Sequence, residues 1–217
     1  MALTFPGESA EYRAARNHLL DREIELRRLS EEVARARRAL PPGGLVPEDY
    51  VFHGDGPVRF SQLFAPGTNT LVLYSYMFGP EKKSPCPMCT PLLDGLDGVN
   101  VHLQQRLSFA VVAESPPERL RAWVQQRDWN LRLLSSAGSS YNRDYHGQTK
   151  GADTTMLNVF QRKEGRIRHF WGTELAHGAS DQGQDHRGLD FVNPIFAMFD
   201  VTPEGRGDWY TKVSYAF

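Results

Sequence analysis

The sequence predicts an α/β fold: a central mixed sheet flanked by helices, preceded by one long helix and followed by a C-terminal extension. Three observations predict it. Residues 70–76 and 107–113 are near-continuous apolar runs of strand length, the pattern of strands buried on both faces. Helical stretches at 91–106 and 116–127 alternate with them, and a short strand follows at 131–134. That order is a βαβ progression with right-handed crossovers. Residues 8–40 repeat apolar positions at spacings of three and four, then stop at Pro41-Pro-Gly-Gly44.

Taken in order, the first helix carries Tyr12, Ala15, Leu19, Leu26, Leu29, Val33, Ala36 and Leu40 on one stripe, interrupted at Arg22. The period is closer to about 3.5 than to 3.6, the seam of a coiled contact. Ser9 is the predicted N-cap. Glu23 with Arg27, and Glu31 with Arg35, place the acid four residues before the base, worth about 0.3 kcal/mol a pair. The helix is either packed on its own domain or a dimerisation arm, and the densely charged remaining faces suit both. Residues 50–64 alternate around Gly54-Asp-Gly56, a β-hairpin signal, and Ser61 is placed as the cap of a short helical turn. Residues 154–160 and 166–171, joined at Arg162-Lys-Glu-Gly165, form a second hairpin. Residues 173–190 show no period and are rich in Gly, Asp and His. Pro194 sits in or near the first turn of a final short helix at 191–199. The tail holds Trp209, Tyr210, Tyr215 and Phe217, aromatic enough to dock on the core or on a partner chain. The domain division is an arm at 1–44 and one domain at 45–217.

Composition bounds the function. With 217 residues, 40% hydrophobic and 24% charged, the chain is an ordinary globular protein. A formal charge of −1 provides no field for nucleic acid or an anionic membrane. No apolar run nears the roughly 20 residues of a membrane span. The start, Met1-Ala-Leu-Thr-Phe-Pro-Gly-Glu8, lacks the basic and apolar regions of a secretory signal, so a cytoplasmic address is expected.

The only two cysteines lie in Cys86-Pro-Met-Cys89, after a loop that follows the first buried strand. In a reducing compartment such a pair is redox-active or metal-binding rather than a structural staple. If a helix begins near Cys86, backbone N–H groups and the helix dipole favour its thiolate. Cys86 then attacks and Cys89, one turn on, resolves. Pro87 suits the first turn, where its missing N–H has no partner. Lys82 and Lys83 add positive potential. Two buried, inert thiols are the bland alternative. Metal binding is a further one: two thiolates are half of a zinc site or the soft part of a copper site, and histidines would complete it. Of the seven histidines, His146, His169 and His177 are the candidate ligands with Cys86 and Cys89. His186 lies in the same loop as His177, beside Asp181 and Asp185. No H-x-x-x-H and no second C-x-x-C occurs. A specialised small-molecule enzyme, with its pocket made by the 173–190 loop, is the third class.

The element order resembles the thioredoxin-like superfamily, particularly the peroxiredoxin and thiol-specific-antioxidant branch. Residues 55–64 resemble that branch's first hairpin, and residues 151–160 with Gly165-Arg-Ile167 its late one. More closely, the chain resembles a bacterial family of thioredoxin-like proteins of unknown function, through Tyr76-Met-Phe-Gly-Pro80, Cys86-Pro-Met-Cys89, residues 135–142 and residues 200–210. The resemblance implies a thioredoxin-like fold, a thiol–disulfide oxidoreductase activity without a bound cofactor, and a thiol or disulfide partner, either a small molecule or a protein. Two departures qualify it. Thioredoxins place a proline opposite the dithiol, where this chain has Asp153 or Thr154, which argues against general protein-disulfide reduction. Peroxiredoxins carry a threonine three residues before the reactive cysteine, where this chain has Lys83. The expected pocket around Cys86 and Cys89 comprises Tyr76, Phe78, Pro87, Asp153, Thr154, His169, Trp171 and His177.

Overall fold

The computed structural model describes residues 3–182 and 187–216. Asp185, His186 and Phe217 lie outside the described residues. The chain divides into two compact units between Pro41 and Pro42. No helix among the described residues is long and apolar enough to cross a membrane.

The first unit is a single helix, α1 (Ala10–Arg38), of 29 residues. Ser9 caps it, its Oγ accepting the Tyr12 N–H at 3.0 Å. Glu11 in the first turn and Arg35, Arg37 and Arg38 in the last complement the macrodipole. Glu23 pairs with Arg16 at 3.0 Å instead of the predicted Arg27. Tyr12, Leu19, Leu26, Leu29, Val33 and Leu40 are exposed.

In the second unit, β1 (Val51–His53) and β2 (Pro57–Arg59) form the predicted hairpin, closed by Gly54 N–H on the Gly56 carbonyl at 3.0 Å. A 3-10 turn follows at Phe60–Leu63, and Ser61 is inside it rather than at its cap. The Gln62 side chain turns back onto the Arg59 N–H, while Asp49 holds the Ser61 N–H and hydroxyl, each at 2.8 Å. Then come β3 (Thr70–Ser75), α2 (Cys89–Leu103), β4 (Ser108–Ala113), α3 (Pro117–Arg127) and β5 (Leu133–Ser135). A one-turn helix α4 (Tyr141–Asp144) and a ribbon of β6 (Gln148–Thr149) with β7 (Ala152–Asp153) lead to the long hairpin β8 (Met156–Lys163) and β9 (Arg166–Gly172). Helix α5 (Pro194–Asp200) has Pro194 at its start and Asn193 as N-cap, whose Oδ1 accepts the Ile195 N–H at 3.2 Å.

Seven strands form one mixed sheet in the order β2-β1-β5-β4-β3-β8-β9. β3, β4 and β5 are mutually parallel, with Leu73 opposite Ala110, and β8 runs antiparallel to β3. A parallel β3-α2-β4-α3-β5 half, an antiparallel β8-β9 half and a dithiol opening the helix after β3 make a thioredoxin-like fold. Because side chains alternate along a strand, the sheet separates two cores. Tyr74 of β3, Phe109 and Val111 of β4, Leu92 and Leu93 of α2, and Leu120 and Trp123 of α3 share one. Leu71, Leu73, Ala110 and Val112 face the other, with Phe52, Phe60, Tyr141 and Phe160. The alternation puts Tyr74 under α2, on the dithiol's side of the sheet. Part of the aromatic tail docks: Trp209 lies edge-on to Phe199 at 5.0 Å, and the buried Thr211 hydroxyl reaches the Pro87 carbonyl at 3.3 Å.

Candidate active site

The loop from β3 to α2 brings Cys86 to the helix start because three side chains hold its backbone. Arg119, on α3, donates to the carbonyls of Gly79 at 3.2 Å and Pro80 at 3.1 Å, and also to that of Lys82. Its guanidinium lies 4.2 Å from the centre of the Phe78 ring. Ser115 donates to the Phe78 carbonyl at 2.6 Å. From the far side, the Asp153 carboxylate accepts the Gly79 N–H at 2.6 Å. A Cβ at Gly79 would sit 2.7 Å from that carboxylate and displace it. The Cys86 N–H then bonds the Met77 carbonyl at 3.0 Å, closing the loop on itself.

The first turn of α2 is built around the Cys86 sulfur. The Cys86 carbonyl accepts the Thr90 N–H at 3.2 Å and the Thr90 hydroxyl at 2.9 Å, while the Cys89 N–H points at Cys86 Sγ from 3.4 Å. Both thiols are free, Cys86 partly exposed and Cys89 buried. Cys86 is lowered to about 6, chiefly by the hydrogen bond from the Cys89 thiol; the Cys89 and Met88 N–H groups and the Lys82 charge add to this, against the opposing effect of burial. Cys89 is pushed up, first by giving its proton to that bond and then by burial. The two shifts run in opposite directions, favouring the negative charge on Cys86 and the proton on Cys89.

Behind Cys89 the hydrogen bonds continue. Thr155 Oγ donates to Tyr74 Oη at 2.6 Å. That leaves the proton of the fully buried Tyr74 available to Cys89, whose pKa the nearby hydroxyl lowers. Thr155 thus steadies Tyr74, Tyr74 favours negative charge on Cys89, and Cys89 favours it on Cys86, so the influences run in sequence toward the partly exposed sulfur.

The sulfurs face a cavity of about 200 Å³. Tyr74, Met77, Met88, Leu92 and Thr155 line it from the sheet and α2; Ala176, Leu189, Asp190, Asn193 and Phe196 line it from the segment after β9. That segment is anchored by charge. Arg206 bonds Asp190 and, at 2.9 Å, Asp200; Arg187 reaches Asp200 at 2.9 Å. The Arg206 guanidinium beside Asp200 holds its carboxyl down at about 2, with Arg187 adding to the effect, so the anchor stays ionised.

The family described as bacterial protein of unknown function (DUF899) matches residues 3–216. The chain belongs to that family. No curated protein matches it. Among solved structures it is similar to the peroxidoxin BcpB from Mycobacterium tuberculosis, at 17% identity and a TM-score of 0.46, covering 71% of this chain and 95% of that one. It is also similar to a conserved protein from Geobacillus kaustophilus, at 14% identity and 0.45, covering 70% and 78%. The exposed lipoprotein thioredoxin of Streptococcus pneumoniae matches at 15% identity and 0.41, covering 68% and 99%. The fold assignment rests on the strand order and registers.

Of the residues predicted to carry the site, Cys86 and Cys89 are together at the cavity; the eight predicted pocket residues are not among those lining it, although Pro87 lies between the cysteines and Tyr76 is close enough to act on both. Tyr76 is buried against Thr90, its hydroxyl 2.8 Å from Thr90 Oγ, and Phe78 packs edge-on to Trp123. Pro87 turns its carbonyl to Thr211. Asp153 is occupied with Gly79, and the Thr154 hydroxyl donates to the His146 carbonyl at 2.6 Å. Opposite the dithiol the chain presents Thr155, one residue beyond the predicted position. His169 and Trp171 are two apart on β9, yet they face opposite cores. A β-bulge sets Phe160 opposite His169 and Val159 opposite Trp171, leaving Phe170 as the extra residue. His169 thus packs on Tyr145 and Phe160, with Nε2 2.9 Å from Asn158 Oδ1 and its pKa lowered by burial. Trp171 meets Phe191 instead. His177 ends a 3-10 turn at Glu174–His177. Among the described residues, no group of three or more His, Cys, Asp or Glu is placed to hold a metal. The alternative zinc or copper set of Cys86, Cys89, His146, His169 and His177 is therefore not assembled. Ala176, Leu189 and Asp190 fall within the 173–190 loop predicted from sequence as a pocket former; the cavity residues missed from sequence are Tyr74, Met77, Met88, Leu92 and Thr155 near the dithiol, with Asn193 and Phe196 in the wall. Only Tyr74 carried a signal: a polar tip in an otherwise apolar buried strand.

Proposed function

We propose that this chain is a thiol–disulfide oxidoreductase in which Cys86 attacks and Cys89 resolves. The observation that carries the reading is the unequal pair: a partly exposed Cys86 sulfur that accepts the Cys89 N–H, just ahead of α2, and a buried Cys89 thiol that opens the helix three positions on. With Cys86 held near 6, about nine-tenths of it is ionised at pH 7, which is what nucleophilic attack on a disulfide requires. The Cys86 thiolate attacks one sulfur of the substrate, the substrate's S–S bond breaks, and one thiolate leaves. Cys86 is then neutral, the Cys89 thiol loses its acceptor, and its proton passes to the departing thiolate. The Tyr74 hydroxyl lies beside Cys89 to stabilise its thiolate, which attacks the Cys86 sulfur and expels the second half of the substrate as a thiolate that takes its proton from solvent. The disulfide substrate is reduced to two thiols, and the dithiol is oxidised by the same two electrons.

Redox titration with intact-mass readout tests this. The expected result is reversible loss of two hydrogens, abolished by Cys86→Ser, with a potential between about −120 and −270 mV. A pair that forms no disulfide under any poise ends the proposal. The exposed apolar stripe of α1 suits a coiled contact with a second copy, which we include in the proposal.

A further inference from the structure

We infer that the cavity over the dithiol is a substrate pocket selective for small, largely apolar disulfides that carry no negative charge, and that the described residues Ala176, Leu189, Asp190, Asn193 and Phe196 form the wall excluding peptide-borne ones. This rests on the oxidoreductase reading and names its substrate class. Size comes first. A cavity of about 150 Å³ holds benzene, so the 200 Å³ here suits a molecule of about eight non-hydrogen atoms. Chemistry comes second. Met77, Met88, Leu92, Leu189 and Phe196 supply an apolar, polarisable lining that matches alkyl groups and sulfur. Apart from the Cys86 thiolate itself, the one charged side chain among the described lining residues is Asp190, which is committed to Arg206. An anionic substrate would lose its hydration there, meet the Cys86 negative charge and find no cation among the described lining residues.

The wall is built rather than draped. Arg206 joins three of its parts: it bonds Asp190 in the lining, bonds Asp200 at the end of α5, and lies 4.7 Å from the centre of the Phe196 ring. Asn193 is buried and caps α5, fixing the point from which Phe196 projects. On the opposite side, Thr155 turns its hydroxyl inward to Tyr74, committing its side chain to the dithiol rather than to an incoming strand.

The experiment uses the full reduced chain and two kinds of probe. Oxidation by diethyl disulfide, by glutathione disulfide and by insulin is followed by intact mass, each rate being divided by the same oxidant's rate with the urea-unfolded chain. In parallel, Cys86 is alkylated with iodoacetamide and with a bulky aryl maleimide, again relative to the unfolded chain. The expected result is that diethyl disulfide and iodoacetamide outpace their bulky counterparts by about tenfold or more. Arg206→Ala and Phe196→Ala should each shrink that ratio by speeding the bulky reagents. Equal normalised rates for small and bulky reagents in the native chain overturn the inference while leaving the oxidoreductase reading in place. Size-selective alkylation with no disulfide formed by any oxidant overturns the oxidoreductase reading itself, and the disulfide substrate class with it.

Discussion

Removing the Cys89 thiol should raise the pKa of Cys86 and change its reactivity in a direction that depends on pH. The Cys89 S–H is the largest influence holding Cys86 at about 6, while the Cys89 and Met88 N–H groups and the Lys82 charge are smaller ones. In Cys89→Ala those smaller influences remain against burial, which raises the value, so the midpoint should move up from about 6. Below both midpoints, each pH unit of upward movement cuts the thiolate fraction tenfold. Intrinsic nucleophilicity rises along a Brønsted slope of about 0.4–0.5, returning roughly threefold of that. Alkylation by iodoacetamide at pH 5 should therefore slow by about threefold per unit of movement. The plateau above pH 9 should rise by about the same factor, so the two rate profiles cross. The assay is the pseudo-first-order alkylation rate of Cys86 from pH 4 to 10, read by mass. A Cys89→Ala profile that keeps its midpoint at about 6 would refute the claim that the Cys89 hydrogen bond dominates.

Further expectations concern the rest of the site. Tyr74→Phe keeps the ring but removes the donor to Cys89; the mixed disulfide on Cys86 should resolve about tenfold more slowly, while iodoacetamide alkylation of Cys86 changes little. An unchanged mixed-disulfide lifetime in quench-and-mass experiments would remove Tyr74 from the resolving step. In the reduced protein, Cys86 has a folded value of about 6 against an ordinary 9.0. The unfolded state binds the extra proton across that window, so stability should climb from pH 6 toward pH 9 and be lost as pH falls through 6. Urea midpoints at pH 6 and 8 should show this rise in the native chain and less of it in Cys86→Ser. Gly79→Ala drives a Cβ into the Asp153 carboxylate and should cost about 1–3 kcal/mol in urea unfolding; a neutral result would show that the loop gives way. Leu26→Glu with Leu29→Glu on α1 should lower the mass seen in sedimentation if the stripe joins two copies, and unchanged sedimentation would end that proposal.

Much of the fold was legible in the residues because it depends on local periodicity. The apolar run before the loop became β3, the next became β4, and the intervening helical pattern became α2. Ser9 caps α1 because an N-cap is a relation between neighbours in the chain. Ser61 failed as a cap because Asp49, twelve residues earlier, took its N–H and hydroxyl. His169 and Trp171 were grouped because alternation puts residues two apart on one face; the bulge at Phe170 breaks that rule. A bulge is an accommodation between two strands and leaves little trace in either one.

By itself, the sequence determined where the chemistry begins. Two cysteines three positions apart, at the first turn of a helix after a buried strand, specify a paired sulfur centre through contacts within one turn. Tertiary structure decided how the two sulfurs differ and what can reach them. Tyr74 and Thr155 meet beneath Cys89 because β3 and β8 pair in a register set by the whole sheet. The cavity wall exists because Arg206, far along the chain, draws Asp190 and Asp200 together. Hydrogen bonds and ion pairs between distant segments have no periodicity to announce them, so the thiolate's environment and the shape of its pocket emerge only once the chain has folded.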